Sequence, residues 1–319
     1  MTEDAAPIRE KADDEIPASP RRSDRSRLLD WVLGQLYRAI PGFERVYARQ
    51  LLGTKVHIER VKVGMPTWSA SSNRIAIAHL SDIHLGPIVG RRSIAHLLDQ
   101  VAARRPDVVC LTGDYVNHRP EEIERYEGLL DRVKPRLGTF AVLGNHDHYA
   151  GKGERIARFL ESQGVQVLTN RNVTLETPAG PLQIAGLDDL HYGSPNFDDA
   201  LEGTDASHPR ILLSHHPDAF PEAKRRGVDL VLSGHTHGGQ ICLPWIGPIL
   251  KHSRHGYHGG YFQEDGSHLF VSRGLGAVVL PIRFRCAAHV GWIECWPSPV
   301  RPRRPITRRE QKPVAFKSL

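Results

Sequence analysis

The sequence predicts an α/β protein, and three observations carry that expectation. Apolar runs of strand length alternate with longer stretches of helical periodicity through the middle of the chain. Five short polar motifs each close one of those apolar runs, and an open α/β sheet gathers its ligands at the carboxyl ends of its strands. The chain of 319 residues, 40% of them apolar, is long enough to bury a sizeable core.

Residues 1–27 are polar, contain prolines and lack periodicity, the pattern of a disordered tail. From Leu28 onward, Leu29, Val32, Leu33, Leu36 and Ile40 recur at helical steps. The pattern breaks at Pro41-Gly42 and resumes through Phe43, Val46, Tyr47, Leu51 and Leu52, with Arg45, Arg49 and Lys55 between. Such a basic, aromatic-bearing amphipathic arm suits a membrane interface, or an apolar stripe packed onto the rest of the chain. Residues 28–65 are assigned to this arm and a leading strand.

Strands are expected at Val56–Val63, Arg74–Leu80, Asp107–Leu111, Thr139–Leu143, Val165–Leu168, Val173–Glu176, Leu182–Ala185, Ile211–Leu213, Val228–Leu232, Leu269–Ser272 and Gly291–Trp296. Helices are expected between them at Ser93–Arg104, Pro120–Val133 and Gly153–Gln163. Residues 66–297 make up the principal domain, and residues 298–319 revert to a basic, proline-rich tail.

Composition narrows the function classes. No apolar run approaches the roughly 18 residues that span a bilayer. The acidic N-terminus has no apolar stretch of its own, so no cleavable secretory signal is expected. Cys110, Cys242, Cys286 and Cys295 are scattered without a C-x-x-C pair, which points to a reducing, cytoplasmic-side location. The net charge of +6 is concentrated at residues 21–27 and in the last 19 residues, where seven Lys/Arg face the single Glu310. Basic tails attract nucleic acid or anionic lipid, yet charge alone names no partner. Neither a Gly-x-x-x-x-Gly-Lys-Ser/Thr phosphate loop nor a His-Glu-x-x-His helix occurs.

The five motifs carry the chemistry. Asp82-Ile83-His84 sets a carboxylate and an imidazole two residues apart, on the same side of an extended chain. Asp114 follows Gly113, whose missing side chain leaves room for a metal pair. In Gly144-Asn145-His146-Asp147, Asn145 offers a neutral oxygen ligand. His146 can donate a proton to a leaving alkoxide, and Asp147 can hold that imidazole protonated and oriented. Ser214-His215-His216 offers His215 as the inward ligand, with His216 expected to lie outside the ligand set. Gly234-His235-Thr236-His237 repeats the two-residue spacing. Carboxylates, an amide and imidazoles together suit two hard-to-borderline divalent cations, the arrangement that cleaves phosphate esters.

In order and content the motifs resemble the calcineurin-like metallophosphoesterase superfamily over roughly Arg74 to Trp296. Gly238-Gly239-Gln240, Leu243-Pro244, Gly247-Pro248, Gly186-Leu187-Asp188-Asp189, residues 271–276 and Pro281-Ile282-Arg283-Phe284 look like one bacterial branch. That branch contains membrane-associated phosphodiesterases and the UDP-2,3-diacylglucosamine pyrophosphatase-type enzymes.

The resemblance implies a four-layer α/β/β/α sandwich, here with an N-terminal amphipathic helical arm. It implies one metal held by Asp82, His84, Asp114 and His237, and another by Asp114, Asn145, His215 and His235, with His146 left as proton donor. No thiolate occurs in the motifs, so the two divalent ions are Mn, Fe or Zn.

The expected function is therefore a binuclear metal-dependent phosphohydrolase that cleaves a phosphodiester or pyrophosphate by attack of a bridging hydroxide. A lipid- or nucleotide-linked phosphoester is the substrate class, met on the cytoplasmic side with peripheral inner-membrane contact through residues 28–55. Two rivals remain. A nuclease-like phosphodiesterase would use the basic tails, but no specific nucleic-acid motif is present. A non-catalytic metal-binding scaffold would have no use for the non-ligand His146.

Overall fold

Neighbouring residues of each strand point to opposite faces, and in this chain the two faces serve different cores. The computed structural model describes residues 57–298 apart from 69–72, 87–88, 118, 150–152 and 279–281. The expected tails and the amphipathic arm at 28–55 lie outside the described residues.

In chain order the elements are β1 (His57–Met65), β2 (Ile75–Leu80), α1 (Arg91–Ala102), β3 (Val108–Thr112), β4 (Thr139–Val142), α2 (Asn145–Tyr149), α3 (Gly153–Ser162), β5 (Gln166–Val167), β6 (Arg171–Leu175), β7 (Leu182–Gly186), α4 (Phe197–Leu201), β8 (Arg210–Leu213), α5 (Phe220–Arg225), β9 (Leu230–Ser233), β10 (Cys242–Leu243), β11 (Gly247–Pro248), β12 (Gly260–Glu264), β13 (Ser267–Val271) and β14 (His289–Pro297).

Two six-stranded sheets result, in the orders β1-β14-β2-β3-β4-β5 and β12-β13-β9-β8-β7-β6. The centre of each is parallel: β2 through β5 in the first, β13, β9, β8 and β7 in the second. The antiparallel pairings join β14 to β2, β6 to β7 and β12 to β13. β1 pairs in parallel with β14 along its whole length, so the leading strand belongs to this sheet, upstream of the boundary placed at residue 66.

Between the sheets Ile75, Ile77, Val108, Cys110, Phe140 and Val142 meet Ile184, Ile211, Leu213, Leu230, Leu232 and Phe270. The alternate residues Ala76, Ala78, Leu80, Val109 and Leu111 pack outward onto Ile94, Leu97 and Leu98 of α1 and Ile156 and Leu160 of α3. On the far side Ala185, Leu212, Val231, Leu269 and Val271 cover Phe220 and Ala223 of α5. The fold is thus a four-layer α/β/β/α sandwich with three apolar interiors.

One expectation is corrected. Pro120–Val133 is not one helix but two 3-10 pieces, Pro120–Tyr126 and Leu130–Arg132. Gly128 at φ +65° breaks the run, and the Glu122 carboxylate accepts from the Asn117 and Arg119 amides instead of lying on a helix surface. The four cysteines are free; Cys295 sits between the sheets, and Cys286 packs near Cys242.

Candidate metal centre

The parallel strands end where the two sheets face each other, and their trailing loops converge there. Asp82 and His84 follow β2, Asp114 follows β3, Asn145 and His146 open α2 after β4, His215 follows β8, and His235 and His237 follow β9. The carboxyl-end placement and the contiguity of sheet order bring eight distant side chains to one edge.

The ligand atoms of Asp82, His84, Asp114 and His237 all lie within 4.8 Å of one another, as do those of His215, His216 and His235. Asp114 stands between the two groups: its Oδ2 is 3.5 Å from His84 Nε2 and 3.3 Å from His215 Nε2. Asn145 Oδ1 is 3.0 Å from His215 Nε2 and 2.9 Å from His235 Nδ1. Asp82 Oδ1 is 3.3 Å from His237 Nε2, which is 3.2 Å from His84 Nε2.

Five of these residues hold left-handed backbone: Asp82 (φ 51°), His84 (45°), Asp114 (57°), His235 (68°) and His237 (50°). Non-glycine residues pay of order 1–3 kcal/mol each for strained conformations, which persist where the surroundings over-determine them and cluster at functional sites. The extended-chain reasoning for Asp82 and His84 is therefore corrected: their side chains meet because both residues turn left-handed.

Close backbone approach holds the loops in place. A Cβ on Gly144 would stand 2.3 Å from Asp114 Oδ1, and one on Gly234 would stand 2.2 Å from Asp82 Oδ2. Gly113 makes room for the Gly144 backbone, 2.5 Å from where its own Cβ would be, rather than for the metal pair itself.

The partners of each ligand fix its orientation. His215 Nδ1 lies 2.7 Å from the Thr112 carbonyl, which turns Nε2 into the cluster. Asp82 accepts from the His235 amide, and Asp114 Oδ1 accepts from the His146 amide at 2.8 Å. Beneath them Thr112 Oγ1 donates to Ser81 and lies 2.8 Å from His79 Nε2, a histidine that burial pushes down to about 3.

Electrostatics suits a cation. Burial pushes Asp82 up to about 7, with the Asp114 charge adding to it. Burial works against charge on Asp114 too, but His215, His146 and His84 outweigh it and hold the carboxyl well below its ordinary range. Burial, with neighbouring imidazoles, holds His235 and His237 well below the ordinary histidine value, so both keep lone pairs for ligation. Burial opposes charge on His215, yet Asp114 and Asp82 raise it to about 10: the acceptors converging there draw positive charge. Two carboxylates, an amide oxygen and imidazoles are the donor set for hard-to-borderline divalent ions, and the residues fit them.

His146 lies beside the cluster, its ring 4.5 Å from that of His84. Its Nδ1 is 2.8 Å from the Asn117 carbonyl, and it also contacts the Tyr149 hydroxyl. Asn117 acts here through its backbone carbonyl, so its side-chain identity is not what orients His146.

The expected role of Asp147 is corrected. Its Oδ2 accepts from the Gly144 and Asp114 amides at 2.9 Å, and its Oδ1 from those of Tyr115 (2.9 Å) and Val116 (3.3 Å). This carboxylate ties the Asp114 loop to α2 and leaves the imidazole to Asn117.

Further contacts surround the cluster. His216 is buried with Nε2 3.0 Å from Asp189 Oδ2, and its ring is 3.7 Å from that of His235. Asp189 also accepts from the His191 and Tyr192 amides, so it caps a turn and orients a histidine at once; burial works against its charge, but His216 holds it well below the ordinary range. Asp188 is 3.0 Å from His148 Nε2. The motif Gly186-Leu187-Asp188-Asp189 was the signal. Arg273 is ion-paired with Glu59, and Arg283 donates to the Gly276 carbonyl at 2.8 Å. The segment after β11 is pinned by Asp218, which accepts from Ser253 Oγ (2.6 Å) and the Arg254 amide (3.1 Å). It forms one wall of a cleft of about 560 Å³ that opens on Asp114, Asn145 and His146 and carries Lys251, His252 and Arg254 on its rim.

The calcineurin-like phosphoesterase family model matches residues 75–239, which include all seven ligand positions and His146. The chain belongs to the calcineurin-like phosphoesterase family. It is a metal-dependent phosphoesterase of the kind that works with two divalent ions. The uncharacterized metallophosphoesterase YkuE of Bacillus subtilis is 35% identical over 215 residues, covering 65% of this chain and 74% of that protein. A transmembrane protein with metallophosphoesterase domain from Danio rerio is 32% identical over 242 residues, covering 72% of this chain and 55% of its own length. The chain thus spans about half of that relative and three quarters of the Bacillus one. Among solved structures, a dimetal phosphatase from Danio rerio is similar at a TM-score of 0.40 and 14% identity, covering 63% of this chain and 88% of that one. A Thermus thermophilus protein is similar at 0.44 and 15%, covering 64% and 91%. No helix among the described residues is long and apolar enough to cross a membrane.

Proposed function

We propose that this phosphoesterase cleaves phosphodiester or pyrophosphate bonds, with Asp82, His84, Asp114 and His237 holding one ion and Asp114, Asn145, His215 and His235 the other. Mn, Fe and Zn all suit this donor set. The observation that carries the reading is the single Asp114 oxygen facing His84 on one side and His215 on the other, with His146 beside the cluster and outside it. When bound, two such ions supply an activated water and the positive charge that grips a phosphoryl group.

The protein's own residues then do the rest. Asp82 and Asp114 lower the site's net charge without cancelling it, so an anionic ester is still attracted. His146, with Nδ1 directed at the Asn117 carbonyl, presents Nε2 for protonating the departing oxygen. Lys251 and Arg254 on the cleft rim favour a substrate with further negative charge next to the scissile phosphate.

A lipid- or nucleotide-linked phosphoester, as handled by the UDP-2,3-diacylglucosamine pyrophosphatase-type branch, matches that rim. The named membrane association of the zebrafish relative supports a site of action at a membrane surface. The test is hydrolysis by the metal-loaded protein of phosphomonoesters, phosphodiesters and UDP-linked lipids in parallel. Preference for a diester or pyrophosphate is expected; a monoester turned over faster than both would overturn the assignment.

A further inference from the structure

We propose that the β10–β11 hairpin and the neighbouring segment Ile282–Arg285 form a docking surface for an anionic lipid bilayer, placing the cleft against the membrane. The five exposed large hydrophobics among the described residues all fall here: Trp245 is fully exposed, with Ile246 at 69%, Ile249 at 50%, Ile282 at 52% and Phe284 at 47%. Single exposed apolar residues are ordinary, but a contiguous group marks an interaction site.

The patch is built as one unit. β10 and β11 pair antiparallel around a tip that carries Trp245 and Ile246. The Cys242 amide donates to the Phe284 carbonyl at 2.9 Å, and the Phe284 amide donates to the Gln240 carbonyl at 3.0 Å. Trp245 itself sits at φ +61°, a left-handed conformation that is unusual for a bulky residue. A strained tryptophan whose side chain touches only solvent adds nothing to the fold, so its use lies in contact with something else.

The shape and charge of the patch select the occupant. A protruding hairpin suits insertion into a bilayer interface, where tryptophan settles at headgroup level with aliphatic residues below it. Exposed Arg285 adjoins Phe284, and exposed Lys251 follows Ile249-Leu250; both give anionic headgroups a counter-charge. The patch also adjoins the cleft: Gln240 Nε2 donates to the Val278 carbonyl at 3.0 Å, and Val278, Leu250 and Lys251 line the cleft wall. The purpose assigned to this surface rests on the lipid-linked reading above, but its test reads binding and not turnover.

All four native cysteines are buried, so a thiol introduced on the surface takes a label selectively. Full-length Trp245→Cys, carrying a polarity-sensitive fluorophore, is mixed with vesicles of phosphatidylcholine containing roughly one third phosphatidylglycerol. Ala206→Cys, exposed before the opposite end of β8, serves as the control position. The expected result is a blue shift at position 245, with quenching by nitroxide-bearing lipid, and neither at position 206. Arg285→Gln introduced alongside should weaken vesicle binding about fivefold. An emission at 245 that stays unchanged when the protein binds vesicles overturns the proposal. So does one already blue-shifted before vesicles are added, or one that shifts with protein concentration, which assigns the patch to this chain's own residues or to a second copy. Failure to hydrolyse any lipid-linked ester while the probe still enters the bilayer would refute the substrate reading and leave the docking surface standing.

Discussion

Gly144→Ala isolates the effect of one methyl group on the shared ligand. That methyl would stand 2.3 Å from Asp114 Oδ1, 2.6 Å from the Asp114 amide nitrogen and 2.9 Å from His215 Cε1. Ordinary contact begins near 3.4 Å, so the carboxylate has to retreat by about 1 Å. Gly144 is not among the left-handed glycines, so alanine meets no backbone penalty and the effect is steric alone. Overpacking of this kind costs about 1–3 kcal/mol, which leaves a domain of this size folded with a lower Tm. The catalytic cost is of similar size, because displacing a key group by about 1 Å loses on the order of a hundredfold in turnover. Circular-dichroism melts, plasma mass spectrometry for metal content and kcat on a chromogenic diester measure the three effects. A folded variant that keeps full metal content and a kcat within about threefold of wild type would refute the steric argument.

Three further outcomes follow from named contacts. His146→Ala should keep its metal content and lose roughly a hundredfold or more in kcat on an ester with a poor leaving group, and much less with nitrophenol, which leaves without a proton; equal losses on both would remove the proton-donor role. Asp147→Asn replaces an acceptor of four backbone amides with a group that carries its own donors, and urea unfolding should register about 2–3 kcal/mol of lost stability; unchanged stability would return Asp147 to the imidazole. Burial alone would push Glu59 up, but His289 and Arg273 outweigh it and hold the carboxyl at about 2, below its unfolded 4.5. Its stabilisation is therefore complete above pH 4.5 and disappears as the pH falls from there toward 2, amounting to about 3 kcal/mol at most. Glu59→Gln should flatten the acid limb of stability against pH in that window, and an unaltered limb would contradict the assignment.

Much of the fold was legible because alternation survives in the strands. Ile75 and Ile77 against Ala76 and Ala78 is a pattern a sequence displays, and it sorts the two faces that the structure buries in separate cores. The ligand types were legible for a similar reason, since each motif closes a strand. What could not be read was how the chain turns there. The left-handed φ of Asp82, His84 and His237 arises from loops packing on one another, and no local propensity announces it. The role of Asp147 was misread because its four donors are backbone amides, which every residue carries. Glu59 and Arg273 are 214 positions apart, so their ion pair leaves no spacing signal. Pro120–Val133 shows the opposite failure: helical periodicity was present, but Gly128 and the demand of nearby amides for the Glu122 carboxylate overrode it.

The central claim is that one carboxylate serves both halves of the cluster, because Asp114 Oδ2 faces His84 and His215 at nearly equal distance. Metal content per folded chain in wild type and Asp114→Asn tests it most directly. The prediction is about two divalent ions in the wild-type protein and loss of affinity at both positions in the variant. A folded wild-type chain that takes up one ion or none would contradict it, as would a variant that gives up one ion and holds the other as tightly as before.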